Sequence, residues 1–217
     1  MSSQPAFPRN YWEADKIANL ALIQFFDGGE WKSIQLAAPP GEQETRLEIA
    51  EMMKLKPLRD ARRAEITAQA GSVDPYYFTR MMMNEKSHPR TFELMNIAVV
   101  IGRALVMHHK LHFARVRPVQ LEPDLEPIVA TPGHPAYPAG HPFQSMLMSM
   151  ALSELRPDAR AVLTQLAERI GENREIAGVH YRSDTLAGLE LAKLAYGPMA
   201  RTAVFLDVMS SARAEWT

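Results

Sequence analysis

Over residues 91–113 the chain carries Leu94, Ile97, Ala98, Ile101, Leu105 and His108 near one face of a helix. An apolar stripe of that length is stable in water only when other helices cover it. It therefore constrains the fold more than any other segment, and it reads as the central buried helix of the first half. The rest of the chain follows the same period. Ile17, Leu20, Ala21 and Ile23 to Phe25 form a stripe that ends at Asp27-Gly28-Gly29. Residues 45–70 are rich in Glu, Arg, Ala, Leu and Met, all good helix formers, and Pro57 divides them into two pieces. Asp74-Pro75 reads as an N-cap followed by proline at the first helical position, opening a helix over 76–83.

The second half predicts a helix that begins just after Gly140, with Pro142 at its first position and Phe143, Met146, Leu147, Met150 and Ala151 inside. A helix over 157–170 follows, ended by Gly171, and then helices over 184–196 and 201–211. Residues 32–41 read as a loop, and 119–137, with Pro123, Pro127, Pro132 and Pro135, as a longer one. Long loops in compact domains often carry function. No β alternation or internal repeat interrupts the pattern. The expectation is an all-α single domain over 1–217, with variable N-terminal helices in 1–100 and a motif-bearing core in 105–195.

Composition narrows the function. The 217 residues suffice for one well-packed domain, and 47% hydrophobic with 23% charged residues is an ordinary globular balance. A formal net charge of −1 argues against a general nucleic-acid binder while leaving room for a local basic pocket. The chain has no cysteine, which excludes disulfides, zinc thiolates and a cysteine nucleophile. Met1-Ser2-Ser3-Gln4-Pro5 has no basic region leading into an apolar core, so the expected location is the cytoplasm, or the periplasm if a leader has been removed. Arg103 and His108 break the longest apolar runs, and no membrane span is expected.

Against this background, the basic residues of the second half stand out. Lys110 and Arg117 lie seven apart, with Pro118 closing the segment. Pro138-Ala139-Gly140-His141 follows, then Arg174, with His180 six residues on and Asp184 four beyond. A phosphate-like dianion spreads its charge over several oxygens. The arginine fork grips two of them, and lysine adds a compact charge. Gly140 permits close backbone approach, and a helix starting there aims unsatisfied N–H groups at the anion. Two imidazoles then divide the chemistry. Asp184, four residues after His180, shares its face on a helical turn and fixes its tautomer. His180 is thus the candidate nucleophile and His141 the candidate general acid.

Lys110-x6-Arg117-Pro118, Pro138-Ala139-Gly140-His141 and Arg174-x5-His180-x3-Asp184 resemble the three signature motifs of the type 2 phosphatidic acid phosphatase superfamily. That superfamily also holds bacterial acid phosphatases and vanadium-dependent haloperoxidases. The resemblance covers about 105–195 and keeps the motif order. It implies a helical bundle in which His180 forms a phosphohistidine in a phosphatase or ligates vanadate in a haloperoxidase. Two positions depart from the pattern. Ala139 and Asn173 stand where the family usually has serine, and losing one preorganised donor costs about 2.7–4 kcal/mol of transition-state stabilisation. A water or Asn173 is the candidate replacement.

The leading expectation is therefore a soluble, metal-independent phosphoric ester hydrolase of the acid-phosphatase kind, acting on a small phosphate ester without a cofactor. The rival is a vanadium-dependent haloperoxidase holding vanadate through His180. A noncatalytic phosphate-ligand binder, supported by Ala139, is the third reading. His134 is a further substrate-side candidate beside Asn173. Arg115 and Arg182 have no motif role and read as surface or rim charges. His108, His109 and His112 read as structural rather than metal ligands. Residues 1–100 are expected to shape the pocket mouth or a subunit contact. Met81 to Met83, Tyr76 and Tyr77 read as core packing or as the contact of a homo-oligomer.

Overall fold

The computed structural model describes residues 6–216, and among them it is helical with no strand. α1 (Ala14–Asp27), α2 (Glu42–Leu55), α3 (Arg59–Gln69), α4 (Asp74–Met81) and α5 (Pro89–Phe113) form the first half. α6 (Pro118–Leu121), α7 (Gly140–Leu155), α8 (Arg160–Ile176), α9 (Arg182–Ala200) and α10 (Ala203–Ala212) complete it. α5 packs against α1, α7 and α10, while α7 packs against α5, α8 and α9. α5 is thus the central helix of the first half, and α7 takes the same place in the second. One apolar core runs through α1, α4, α5, α7, α8, α9 and α10. Two small clusters lie outside it. Met52 of α2 meets Leu125, Ala136 and Tyr181, and Ile66 of α3 meets Ile176, Ala177 and Val179. They pin the N-terminal helices to the loops that carry the motifs.

Several boundaries differ from expectation, each for a local reason. α4 starts at Asp74 itself, with Val73 as its cap. α7 starts at Gly140, which puts Pro142 at the third position of the helix rather than the first. Pro118–Leu121 and Pro123–Leu125 form short helical turns inside the expected loop. The largest difference is at Gly171, which does not end α8. The helix runs on to Ile176, and a Cβ at Gly171 would lie 2.4 Å from Thr185 Cγ2 and 3.1 Å from Pro142 Cβ. The glycine is there for close approach of α8 to α7 and α9. The chain turns instead at Gly178, whose φ of +86° suits a residue without Cβ.

On α5 the buried stripe passes through His109 rather than His108, which is exposed and meets the Trp31 ring edge-on. Burial holds the His109 imidazole down to about 4. Met81, Met83 and Tyr77 are core, while Met82 is exposed. By length and composition, Pro89–Leu121 is apolar enough to cross a bilayer, contrary to the expectation that no segment comes near that length. Just over half of its most apolar window lies inside the protein.

Candidate active site

α5 ends when Ala114 takes a left-handed φ of 47°, and residues 114–117 run without helix until Pro118 starts α6. Side chains alternate along this stretch, as in an extended strand. Arg115 and Arg117 are buried, and Val116 between them points outward, 45% exposed. The loop that follows leads through Tyr137 and Pro138 to α7, with the Ala136 N–H donating to the Arg115 carbonyl at 2.8 Å. The Ala139 N–H donates to the Asp184 carbonyl at 2.9 Å, which fixes the start of α7 on α9.

These connections bring part of the predicted set to the wall of a cavity of about 480 Å³, while Arg117, Arg174 and Asp184 are buried outside its lining. Lys110, His134, Gly140, His141 and His180 line it together with Gly71 to Asp74 of the α3–α4 turn. Lys110 is wholly buried, and its Nζ donates to the carbonyls of Pro135 and Ala136 at 2.7 Å each. Arg117 donates from Nε to the His134 carbonyl at 2.9 Å, and from Nη1 to the Val179 carbonyl at 2.8 Å. Its Nη1 also lies 3.0 Å from His180 Nε2. Arginine can only donate, so Nε2 accepts and the ring proton sits on Nδ1. That proton faces Asp184 Oδ2 at 3.0 Å. The His180 tautomer is fixed at both nitrogens.

The His180–Asp184 pair forms in a different way from the predicted helical face. His180 precedes α9 in the turn, and Asp184 is the third residue of that helix. Asp184 Oδ2 also accepts the Tyr181 N–H at 3.1 Å, so the carboxylate meets the imidazole while capping the helix. His141 is held differently. Its Nε2 lies 3.1 Å from the Gln69 carbonyl at the end of α3, so that nitrogen donates and Nδ1 is left as acceptor. Arg174 is 2% exposed, and its Nε and Nη1 have no hydrogen-bond partner among the described residues. Two buried N–H groups without acceptors cost about 1–3 kcal/mol each. An oxyanion would satisfy them.

Burial sets the charge state of this cluster. It brings Lys110 down to about 7, with Arg117 pushing the same way. Arg117 falls to about 10 through burial, and Arg174 to about 10 through burial and the Arg117 charge. His141 drops to about 3 through burial and Arg174. His180 goes well below its ordinary value through burial and then the charges of Arg117, Lys110 and Arg174. Asp184 rises to about 6 through burial, against the pull of Arg115. A dianion in the cavity would reverse the cationic shifts, because it favours the charged forms.

The remaining predicted residues divide between the cavity wall and positions outside it. Asn173 cannot replace the missing serine, because its amide is fully engaged away from the cavity. Its Oδ1 accepts from Arg62 at 2.8 Å, and its Nδ2 donates to Glu65 at 2.9 Å and Gln69 at 2.8 Å. Ala139 is buried and supplies only backbone. A Cβ at Gly140 would meet only Val106 Cγ1, at 3.8 Å, so glycine keeps the wall open without being forced by a close neighbour. His134 Nδ1 lies 3.0 Å from Arg117 Nη2, a donor, and 3.2 Å from the Pro135 carbonyl, an acceptor, so the two contacts favour opposite tautomers. Arg182 is exposed and pairs with Glu175. Arg115 is no surface charge. It is 8% exposed and lies 2.7 Å from Asp184 Oδ1. Sequence reasoning missed it, together with Glu48, Gln69 and the cavity residues Asp74, Arg103 and Gln144. The Arg115-x-Arg117-Pro118 alternation was the available signal.

No family model matches the chain. It is 26% identical over 140 residues to a non-specific acid phosphatase of Salmonella typhimurium, a match that covers 61% of this chain and 55% of that protein. A Salmonella typhi protein of the same description matches equally. The matched stretch thus spans just over half the length of these curated relatives. Among solved structures, a transmembrane PAP2-type phosphatidylglycerolphosphate phosphatase from Bacillus subtilis is similar, with a TM-score of 0.54 and 16% identity. The likeness covers 86% of this chain and 93% of that one. A bacterial vanadium-dependent iodoperoxidase follows at TM-score 0.53 and 15% identity, covering 79% of this chain and 52% of that one. The helical fold of those two structures is the fold of this chain, and its motifs occur in the superfamily's order. The chain is thus similar in sequence to non-specific acid phosphatases and in fold to a PAP2-type phosphatase and a vanadium-dependent iodoperoxidase.

Proposed function

We propose that the chain hydrolyses small phosphate monoesters through a phosphohistidine on His180. The observation that carries this reading is the state of His180 itself. Nδ1–H is locked on Asp184, which puts the Nε2 lone pair toward the Arg117 guanidinium; the ring lines the cavity, and in this reading Arg117 Nη1 shifts from Nε2 to a phosphoryl oxygen before Nε2 attacks. In this reading Lys110, Arg117, Arg174 and the free amides of Gly140 and His141 hold the phosphoryl oxygens. Nε2 forms a bond to phosphorus as the ester P–O bond breaks, and His141, which takes up a proton at Nδ1 once the bound dianion favours its charged form, delivers that proton to the leaving oxygen. Asp184 stabilises the positive ring that results. Water, deprotonated by His141, then attacks phosphorus, the P–N bond breaks, and phosphate leaves.

The same donor set suits vanadate, and the two unpartnered N–H groups of Arg174 fit its oxygens as well as those of phosphate. Lys110, Arg117 and Arg174 would hold the oxygens, with His180 Nε2 as the ligand; bound vanadate would supply peroxide activation for halide oxidation. The iodoperoxidase likeness favours this as the second reading. Ala139, which brings no hydroxyl, favours the noncatalytic binder.

A panel of phosphate monoesters, assayed with and without orthovanadate and in parallel with halide plus peroxide, separates them. Phosphate release that orthovanadate inhibits is the expected result. Halide oxidation that requires vanadate, without phosphate release, would overturn it in favour of the second reading. Phosphate binding with no turnover would leave the binder.

A further inference from the structure

Asp184 Oδ2 is occupied by His180 and by the Tyr181 N–H, so whatever holds Oδ1 decides how firmly the carboxylate is aimed. Arg115 holds it. Nη1 donates to Asp184 Oδ1 at 2.7 Å and to Ser183 Oγ at 2.7 Å. Nη2 donates to Glu48 Oε2 at 2.8 Å and to Thr45 Oγ1 at 3.1 Å. The guanidinium lies over the Tyr181 ring, 3.8 Å from its centroid. Glu48, on α2, reaches the same place from outside the motif region. Its Oε1 accepts the Ser183 N–H at 2.7 Å and its Oε2 the Ser183 hydroxyl at 2.8 Å. The start of α9 and the Arg115 fork are therefore tied to one carboxylate.

We propose that Arg115, fixed by Glu48 of α2, is a positioning residue that keeps Asp184 aimed and ionised against His180. The dyad is clamped between two guanidiniums that the alternation of residues 115 to 117 places side by side. Arg117 caps the nucleophilic nitrogen of His180, and Arg115 caps the free oxygen of Asp184. A lone buried carboxylate in this position would protonate and release the imidazole, because desolvation disfavours its charge. Without Glu48, Arg115 would keep Asp184 but lose the carboxylate that holds the other arm of its fork. At longer range, Asp184 also feels Lys110, Arg117, Tyr137 and Tyr181. Arg115 and Asp184 are the closest of these charge pairs.

The proposal rests on His180 being the reacting imidazole, and the test keeps the two apart. Arg115→Gln, Arg115→Lys and Glu48→Gln are made in the full chain and assayed on p-nitrophenyl phosphate. The His180 Nδ1 proton is followed by NMR as pH is varied. For Arg115→Gln, kcat is expected to fall about 10–100-fold, as for other residues that orient a site group, with KM held within about threefold. Arg115→Lys restores part of the loss, since it keeps the charge but not the fork. The midpoint at which the Nδ1 proton senses Asp184 protonation rises by about one pH unit in Arg115→Gln. An unshifted midpoint overturns the proposal whether or not the protein is a phosphatase. A large rise in KM at constant kcat overturns it too, because Arg115 would then be holding substrate. If Arg115→Gln does not fold, Glu48→Gln carries the same two readouts in a milder form, and no change in either sinks the idea. A wild-type protein that shows the NMR shift but hydrolyses nothing would fault the phosphatase reading and leave Arg115 in its place.

Discussion

The cavity holds its two central imidazoles in opposite ways. His180 is gripped at both nitrogens, by Asp184 and by Arg117, and each grip comes from a charged side chain. His141 is held by backbone alone among the described residues, through Nε2 on the Gln69 carbonyl with the Ala70 backbone beside it. A nucleophile gains from a fixed tautomer, because the attacking lone pair is then always present. A proton carrier needs its second nitrogen free to gain and lose a proton. In the proposed mechanism, this difference in anchoring supports His180 as the nucleophile and His141 as the proton carrier.

Breaking each anchor tests the comparison, and the largest effect is expected at the doubly held ring. Asp184→Asn should lower kcat on the order of 10⁴-fold, as when a triad aspartate is neutralised, with equal force on good and poor leaving groups. His141→Gln should cost about 10²–10⁴-fold on an alkyl phosphate. It should cost far less on p-nitrophenyl phosphate, whose leaving group departs without a proton. Equal losses on both substrates would take the acid role away from His141.

Much of this contrast was legible before any coordinates. The motif spacing pointed to Lys110, His141 and His180, which line the cavity, and to Arg117, Arg174 and Asp184, which are buried outside its lining, and the helical period pointed to most of the elements. The anchors that no spacing could show come from tertiary structure. Gln69 acts through a backbone carbonyl 72 residues from His141, and sequence does not record which carbonyl a helix end presents. Glu48 lies 67 residues from Arg115 and looked like any solvated glutamate on a polar helix. Gly171 misled for a related reason. Glycine marks both helix ends and close helix contacts, and only the position of Thr185 distinguishes them here. Asn173 misled because its place in the motif said nothing of Arg62 and Gln69, which claim its amide.

Smaller effects follow from charge. Lys110 sits near 7 in the free site, so above that pH a bound dianion must draw a proton onto it. Above about pH 7.5, where inorganic phosphate is already the dianion, its affinity should fall by up to about tenfold per pH unit. Calorimetry in buffers of different ionisation heat should register the proton taken up. An affinity flat between pH 7.5 and about 9 would mean that Lys110 is already charged without ligand.

The smallest expected effect is on stability. His141 is depressed to about 3 in the folded protein, below its ordinary value of 6.5. As pH falls from about 6.5 toward 3, the unfolded chain therefore takes up a proton that the folded one refuses, and stability declines. Tm should drop more steeply in wild type than in His141→Gln over that range, the curves parting by about 2–4 °C per kcal/mol. Parallel curves would show that His141 is not held neutral by the fold.

The most direct test is rapid acid-free quenching of the protein mixed with a ³²P-labelled monoester, followed by mapping of the label. The account predicts an acid-labile, base-stable phosphoramidate on the peptide that contains His180, absent in His180→Ala. Turnover of the monoester with no label on that peptide at any quench time, or label on His141 instead, would contradict it.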